Sequence, residues 1–235
     1  MSASTPMAEP ALPVVEEVAG GGRLETTPAR PLLVGVDGRA RCAWVGADPE
    51  YVRYHDEEWG HPLHGDRPLF EKLSLEGFQA GLSWITILRR RPGFREAFDG
   101  FDPHAIARYD ATDVERLMLD TRIIRNRAKI EATIGNARAL LALWDAEGDG
   151  ALDRLIWSFA QPPAPQSLSE PSESKGETGR PRSFVDIPAI TPESKALSKA
   201  LKSRGFRFVG PTTMYALMQS AGLVDDHLEG CWRAA

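Results

Sequence analysis

The chain has 235 residues, 42% hydrophobic and 26% charged, with a net charge of −5. This is globular usage with enough apolar material for a sizeable core, and the acidic balance excludes a generally basic nucleic-acid coat while leaving a local basic face open. Only two cysteines, Cys42 and Cys231, are present, which excludes a secreted disulfide scaffold and favours a cytoplasmic setting. No apolar run approaches the roughly 20 residues of a membrane span, and no basic-then-apolar leader opens the chain.

In chain order, residues 1–40 are rich in Pro, Ala, Gly, Thr and Glu and lack a sustained period, so they read as a disordered extension. From 41 to 235 the pattern is that of one compact all-α domain. Asp66 opens an apolar-periodic stretch to Arg91, with Gly77 as the expected break. Asp102-Pro103 is an N-cap followed by proline at the first helical position. Thr112-Asp113-Val114-Glu115 reads as a capping box. A long helix is expected from about Asn126 to Asp145, with Ile130, Ile134, Ala137 and Leu141 on one side. Pro162, Pro163 and Pro165 then lead into a Ser/Glu/Gly-rich run, so 161–183 reads as a flexible insertion. Thr191-Pro192 opens a further helix that Gly205 closes, and Pro211 begins the last, ending at Gly222. No convincing alternating strand is seen.

Cys42, His55, His227 and Cys231 together supply a Cys2His2 set, the kind of closed donor set that structural zinc uses. A His-x3-Cys spacing on a helix would put His227 and Cys231 one turn apart on one face. Two buried thiols, isolated histidines or a Cys42–Cys231 disulfide are the alternatives. Tyr54, Trp59 and Trp84 belong to an aromatic-rich region in which Glu76 stands among glycines in an apolar helical context. A carboxylate there must be paired or have work to do.

The strings Arg-Cys-Ala-Trp-Val (41–45), Tyr-His-Asp-Glu-Glu-Trp-Gly (54–60), Leu-Glu-Gly-Phe-Gln-Ala-Gly-Leu-Ser-Trp-Ile-Thr (75–86), Ile-Gly-Asn-Ala-Arg-Ala (134–139) and Gly-Leu-Val-Asp-Asp-His (222–227) closely resemble the 3-methyladenine DNA glycosylase I family. The resemblance implies a helix-hairpin-helix glycosylase fold and hydrolysis of the N-glycosidic bond of N3-methyladenine in double-stranded alkylated DNA. By position, it makes Glu76 the pocket carboxylate that contacts the damaged base, with Tyr54, Trp59 and Trp84 as the aromatic pocket and Trp44 placed more loosely. It also implies one structural zinc ion per chain, held by Cys42, His55, His227 and Cys231, in a monomeric bacterial enzyme acting in the cytoplasm at the nucleoid.

For duplex contacts the sequence offers Leu82, beside Gly81, and the basic turn carrying Arg122, Arg125, Arg127 and Lys129; a core role for Leu82 and a merely solvated face for the bases are the alternatives. The hairpin is sought near Thr121–Ile124, where no Gly-x-Gly turn stands. Lys195, Lys199, Lys202 and Arg204 form a second basic cluster. No lysine stands in a catalytic context, so strand cleavage through a Schiff base is not expected. A non-catalytic zinc-stabilised module that binds alkylated DNA or modified bases is the competing reading.

Overall fold

The computed structural model describes residues 31–160 and 179–234. Among them, nine α-helices hold more than half of the described residues, and the only sheet is a two-stranded hairpin. Residues 31–40 of the expected extension are among the described residues. β1 (Leu32–Val34) pairs antiparallel with β2 (Ala40–Cys42), in a register that sets Leu32 opposite Cys42. Three residues per strand is too short for an alternation to register in sequence. Residues 1–30 lie outside the described part, as do 161–178 of the expected insertion. Residues 179–183 are docked on the C-terminal segment, where Pro181 O accepts from Glu229 N at 2.9 Å.

α1 (Pro49–Glu57) begins on Asp48, whose carboxylate accepts from the Glu50 and Tyr51 amides. α2 (Asp66–Gln79) and α3 (Trp84–Ala97) replace the single long stretch. The break falls at 80–83, because Ala80 leaves helical geometry and Gly81 has φ +85. Gly77 stays inside α2, where a Cβ would meet Phe208 at an ordinary packing distance of 3.5 Å. α4 (Pro103–Ala107) is capped by Asp102 as expected. α5 (Ala111–Leu119) takes its capping box two residues before the expected Thr112, from Asp110 to Asp113. The long helix α6 (Arg127–Glu147) starts on the Asn126 cap. α7 (Ala151–Trp157) precedes residues 161–178; α8 (Pro192–Ser203) and α9 (Pro211–Ser220) follow them.

α2 is the axis of the molecule. It packs against α3, α6, α7 and α9, so it is buried on nearly every side and carries little amphipathic signal. Leu69, Phe70, Leu73, Leu75 and Phe78 from α2 meet Phe94, Phe98 and Phe101 in one apolar core. α8 and α9 pack against each other as a helix–turn–helix pair. Their turn is pinned from α6: Asn136 Oδ1 accepts from Arg207 N at 2.7 Å and Asn136 Nδ2 donates to Arg207 O at 3.0 Å.

Gly222 ends α9 and turns the chain toward its C-terminal segment. Its φ is +77, and a Cβ there would lie 2.6 Å from the backbone at His61 and Pro62. Gly222→Ala is therefore expected to destabilise the fold by about 1–3 kcal/mol from conformational strain alone, more if the close backbone contact cannot relax. A thermal melt of the variant checks this; an unchanged melting temperature would show that the C-terminal segment does not need this turn.

Candidate active site

A cavity of about 380 Å³ opens between α1, α2, the start of α3 and α9. That is enough for a small ring system. Tyr51 and Tyr54 are three residues apart on α1 and so share a face. Trp44 from the short turn after β2 meets Tyr51 edge-on at 4.9 Å and Trp59 at 5.2 Å between ring centroids. Trp84, the first residue of α3, lies 5.5 Å from Tyr54. The four aromatics expected at the pocket, Trp44, Tyr54, Trp59 and Trp84, all line it, and so does Glu76. The structure adds Tyr51 and the α9 side chains Tyr215, Gln219 and Ser220. Asp226 braces that wall, accepting from Tyr215 Oη at 2.7 Å and from Gln219 Nε2 at 2.8 Å. Ala216 also lines the cavity and gives it no polar contact.

Glu76 is only 3% exposed. Its Oε1 accepts from Ser220 Oγ at 3.0 Å and lies 3.4 Å from Lys72 Nζ. Burial pushes the Glu76 carboxyl above its ordinary range, and the Lys72 charge and the Ser220 bond oppose that rise. The Tyr54 hydroxyl is driven well above its usual value by burial and then by the Glu76 charge, so it stays protonated. Lys72 is the main residue that sequence reasoning missed. Its signal was present, since Lys72 and Glu76 stand four apart on a helix, but a lysine in α2 reads as solvated until the helix is known to be buried all round. It lies behind the Tyr54–Trp84 wall, lining a second cavity of about 120 Å³.

Close to this pocket, the thiols of Cys42 and Cys231 and a ring nitrogen of His55 lie within 4.8 Å of one another, all buried. Both cysteines are free, so the disulfide alternative is not what the structure shows. His55 Nε2 points to Cys231 Sγ at 3.5 Å, and its Nδ1 bonds Asp56 at 2.8 Å. Asp56 is itself held by Arg41 at 2.7 Å and by the Trp232 indole at 3.1 Å. Hydrogen bonding between the two thiols raises Cys42 and lowers Cys231, with burial adding to the first shift and opposing the second.

His227 stands just outside this trio. Its ring centroid is 5.0 Å from that of His55, its Nδ1 bonds Asp225 at 2.7 Å, and its Nε2 is buried with no hydrogen-bond partner. The expected helical register of His227 and Cys231 is not found: residues 221–234 are turns and irregular chain. Trp59 packs on both His55 and His227, with ring centroids 6.2 and 4.5 Å away. The donor cluster and the pocket therefore share a wall.

The expected duplex contacts separate into three groups. Leu82 is 42% exposed on the loop between α2 and α3, beside the cavity mouth residues Gln79 and Trp84, so the core alternative fails for it. Arg125 and Arg127 are exposed, the latter paired with Glu115 at 2.8 Å. Lys129 is not available to a phosphate. It is buried, and its ammonium donates to Phe78 O at 2.9 Å and Ala80 O at 2.7 Å, capping the C-terminal end of α2. A cation satisfies such terminal carbonyls well. Lys195, Lys199, Lys202 and Arg204 are exposed along α8 and its end, next to the turn that leads into α9.

The methyladenine glycosylase family model matches residues 44–234. The DNA-3-methyladenine glycosylase 1 of Escherichia coli K12 is 48% identical over 191 residues, which is 81% of this chain and 95% of that protein. A crystal structure of 3-methyladenine DNA glycosylase I superposes with a TM-score of 0.71 at 48% identity, covering 82% of this chain and 98% of the other. A tyrosine-to-phenylalanine variant of such a glycosylase, in complex with 3-methyladenine, superposes with a TM-score of 0.70 at 35% identity, covering 82% and 96%.

Proposed function

The chain belongs to the methyladenine glycosylase family, and we propose that it removes N3-methyladenine from alkylated double-stranded DNA by hydrolysing the N-glycosidic bond, the first step of base-excision repair. The observation that carries this reading is a single buried carboxylate, Glu76, in an aromatic cavity with room for a base. N3-methylation leaves the adenine positively charged. Tyr54, Trp59, Trp84 and Trp44 offer electron-rich surfaces that favour a cation over neutral adenine by about 0.5–2 kcal/mol per good contact. Glu76 adds a charged acceptor for the hydrogen-bond donors of the base edge.

The chemistry asks little more of the protein. The bond from C1′ to the base nitrogen breaks through an oxocarbenium-like state, and its electron pair neutralises the base. Water adds to C1′ and gives up a proton. The nucleotide has to leave the stack first, and a damaged, poorly paired base costs less to extrude. Lys72 does not line the base cavity, which fits hydrolysis without strand cleavage.

Cys42, His55, Cys231 and His227 would hold a structural zinc ion. The donor set suits the metal. Each histidine has its Nδ1 on a carboxylate, the usual way of aiming a ligating ring, and the orphaned Nε2 of His227 has a role once a cation is present. When bound, zinc would supply a crosslink between β2, α1 and the C-terminal segment.

The duplex would lie across Leu82 and the α8–α9 turn, with that helix–turn–helix pair taking the place of the hairpin sought near Thr121–Ile124. Leu82 fills the gap left by the extruded base. Leu82→Ala should lower the rate of excision from duplex DNA by about tenfold, about 1.4 kcal/mol and so only part of the few kcal/mol that opening a stack costs, and leave affinity for free 3-methyladenine unchanged. An equal loss in both assays would place Leu82 in the pocket rather than at the duplex.

A further inference from the structure

We propose that Lys72 is a positioning residue of the base pocket, which keeps Glu76 ionised and tethered by one oxygen so that the other is presented to the base. This rests on Glu76 being the base-binding carboxylate. Lys72 and Glu76 are one turn apart on α2, and both are almost fully buried. The Lys72 ammonium lies 3.4 Å from Glu76 Oε1, donates to Tyr54 Oη at 2.8 Å and sits 3.9 Å above the Trp84 ring. Ser220 also donates to Oε1. Among the described residues no donor bonds Oε2. The carboxylate is thus fixed at one oxygen and open at the other.

The geometry makes this cation necessary for the carboxylate. Removed from water, a carboxyl group takes up a proton unless a partner compensates. Glu76 also lies one turn from the C-terminal end of α2, where the helix dipole opposes negative charge. The titratable and charged groups around the pair are Tyr51 and Tyr54 from α1, Glu58 just past its end, Glu71 from α2, Arg91 and Arg95 from α3, and Tyr215 from α9, which also supplies the neutral Ser220; Glu71 is paired with Arg95. The tyrosines are neutral, and Glu58 and Arg91 form their own bidentate ion pair. Lys72 is left as the charge that decides the state of Glu76. Burial pushes Glu76 up and Lys72 down, and each partner's charge acts against that drift. Since Lys72 lines the rear cavity and not the base pocket, it acts on the base through Glu76.

The test is a carboxyl-carbon NMR titration of protein labelled at glutamate, with the Glu76 resonance assigned by its absence in Glu76→Gln. In Lys72→Met, which keeps the volume and loses the charge, the Glu76 midpoint should rise by at least one pH unit, a tenfold change in proton affinity. Lys72→Arg should bring it back, and the acid limb of kcat/KM for excision should move with it. Coincident midpoints in wild type and Lys72→Met would overturn the proposal. Should Lys72→Met fail to fold, lysine labelled at Cε settles the matter in otherwise native protein. Lys72 should give a resonance shifted by the Trp84 ring current that moves on Glu76→Gln, and a resonance indifferent to that change would overturn the proposal. Because these titrations need no catalysis, a protein that shifts Glu76 as expected yet releases no base would refute the glycosylase reading and leave the role of Lys72 standing.

Discussion

Glu76→Gln should lower excision of 3-methyladenine from methylated duplex DNA by about 100-fold, on the order of 2.7 kcal/mol, the usual cost of losing one preorganised electrostatic contact in a water-poor site. The amide keeps the shape and one acceptor oxygen but removes the charge that complements the cationic base. It also leaves the Lys72 ammonium buried beside a neutral group, which adds to the cost. Binding to undamaged duplex should be unaffected, because Glu76 is buried while Leu82 and the α8 lysines are exposed. The pH profile gives an independent reading. Burial raises the Glu76 carboxyl, so wild-type activity should fall on the acid side at a higher pH than the roughly 4.3 of an exposed glutamate. Below that midpoint the carboxyl is protonated and no longer a charged acceptor; above it the activity is full. The Gln variant should lack this limb. Single-turnover excision across pH measures both effects, and an unchanged rate in Glu76→Gln would remove its assigned role.

The second large effect concerns the Cys/His cluster. Protein purified without chelator should contain about one zinc per chain. Stripping the metal, or Cys231→Ser, should lower the melting temperature by about 10 °C. Loss of a few kcal/mol shifts a domain of this size by roughly 2–4 °C per kcal/mol, and zinc in small domains contributes at least that much to folding. The thiols and His55 join β2, α1 and the C-terminal segment, three pieces with few other apolar ties than Leu32, Leu228 and Trp232. Excision should fall with stability, since Trp59 and Trp44 pack on His55 and also form the pocket wall. Metal analysis with parallel melts checks this; a metal-free protein that melts at the same temperature would contradict it.

Much of this molecule was legible before the fold. Asp102, Asn126 and Thr191 are side-chain caps that announce their helices locally, and each helix begins where its cap stands. The pocket aromatics and Glu76 were marked by the strings that carry the family resemblance. What escaped depends on tertiary surroundings. Gly77 has the look of a helix break, yet it lies within α2, while the real break at 80–83 needs Gly81 in a left-handed conformation. Lys129 reads as a surface cation and is in fact buried against the end of α2. Lys72 reads the same way and lies beside Glu76. A lysine changes meaning when the helix that bears or faces it has no solvent side, and only the packing of α2 against α3, α6, α7 and α9 reveals that. The hairpin β1–β2 is too short to show a period and is fixed by its neighbours rather than by its own pattern.

The most direct test of the account is release of free base from methylated duplex DNA, resolved by chromatography, with protein shown to be folded. The account predicts release of 3-methyladenine with little 7-methylguanine, without strand cleavage. No base release from such protein would contradict it, and would leave a module that binds alkylated DNA or modified bases through the same pocket without turning them over.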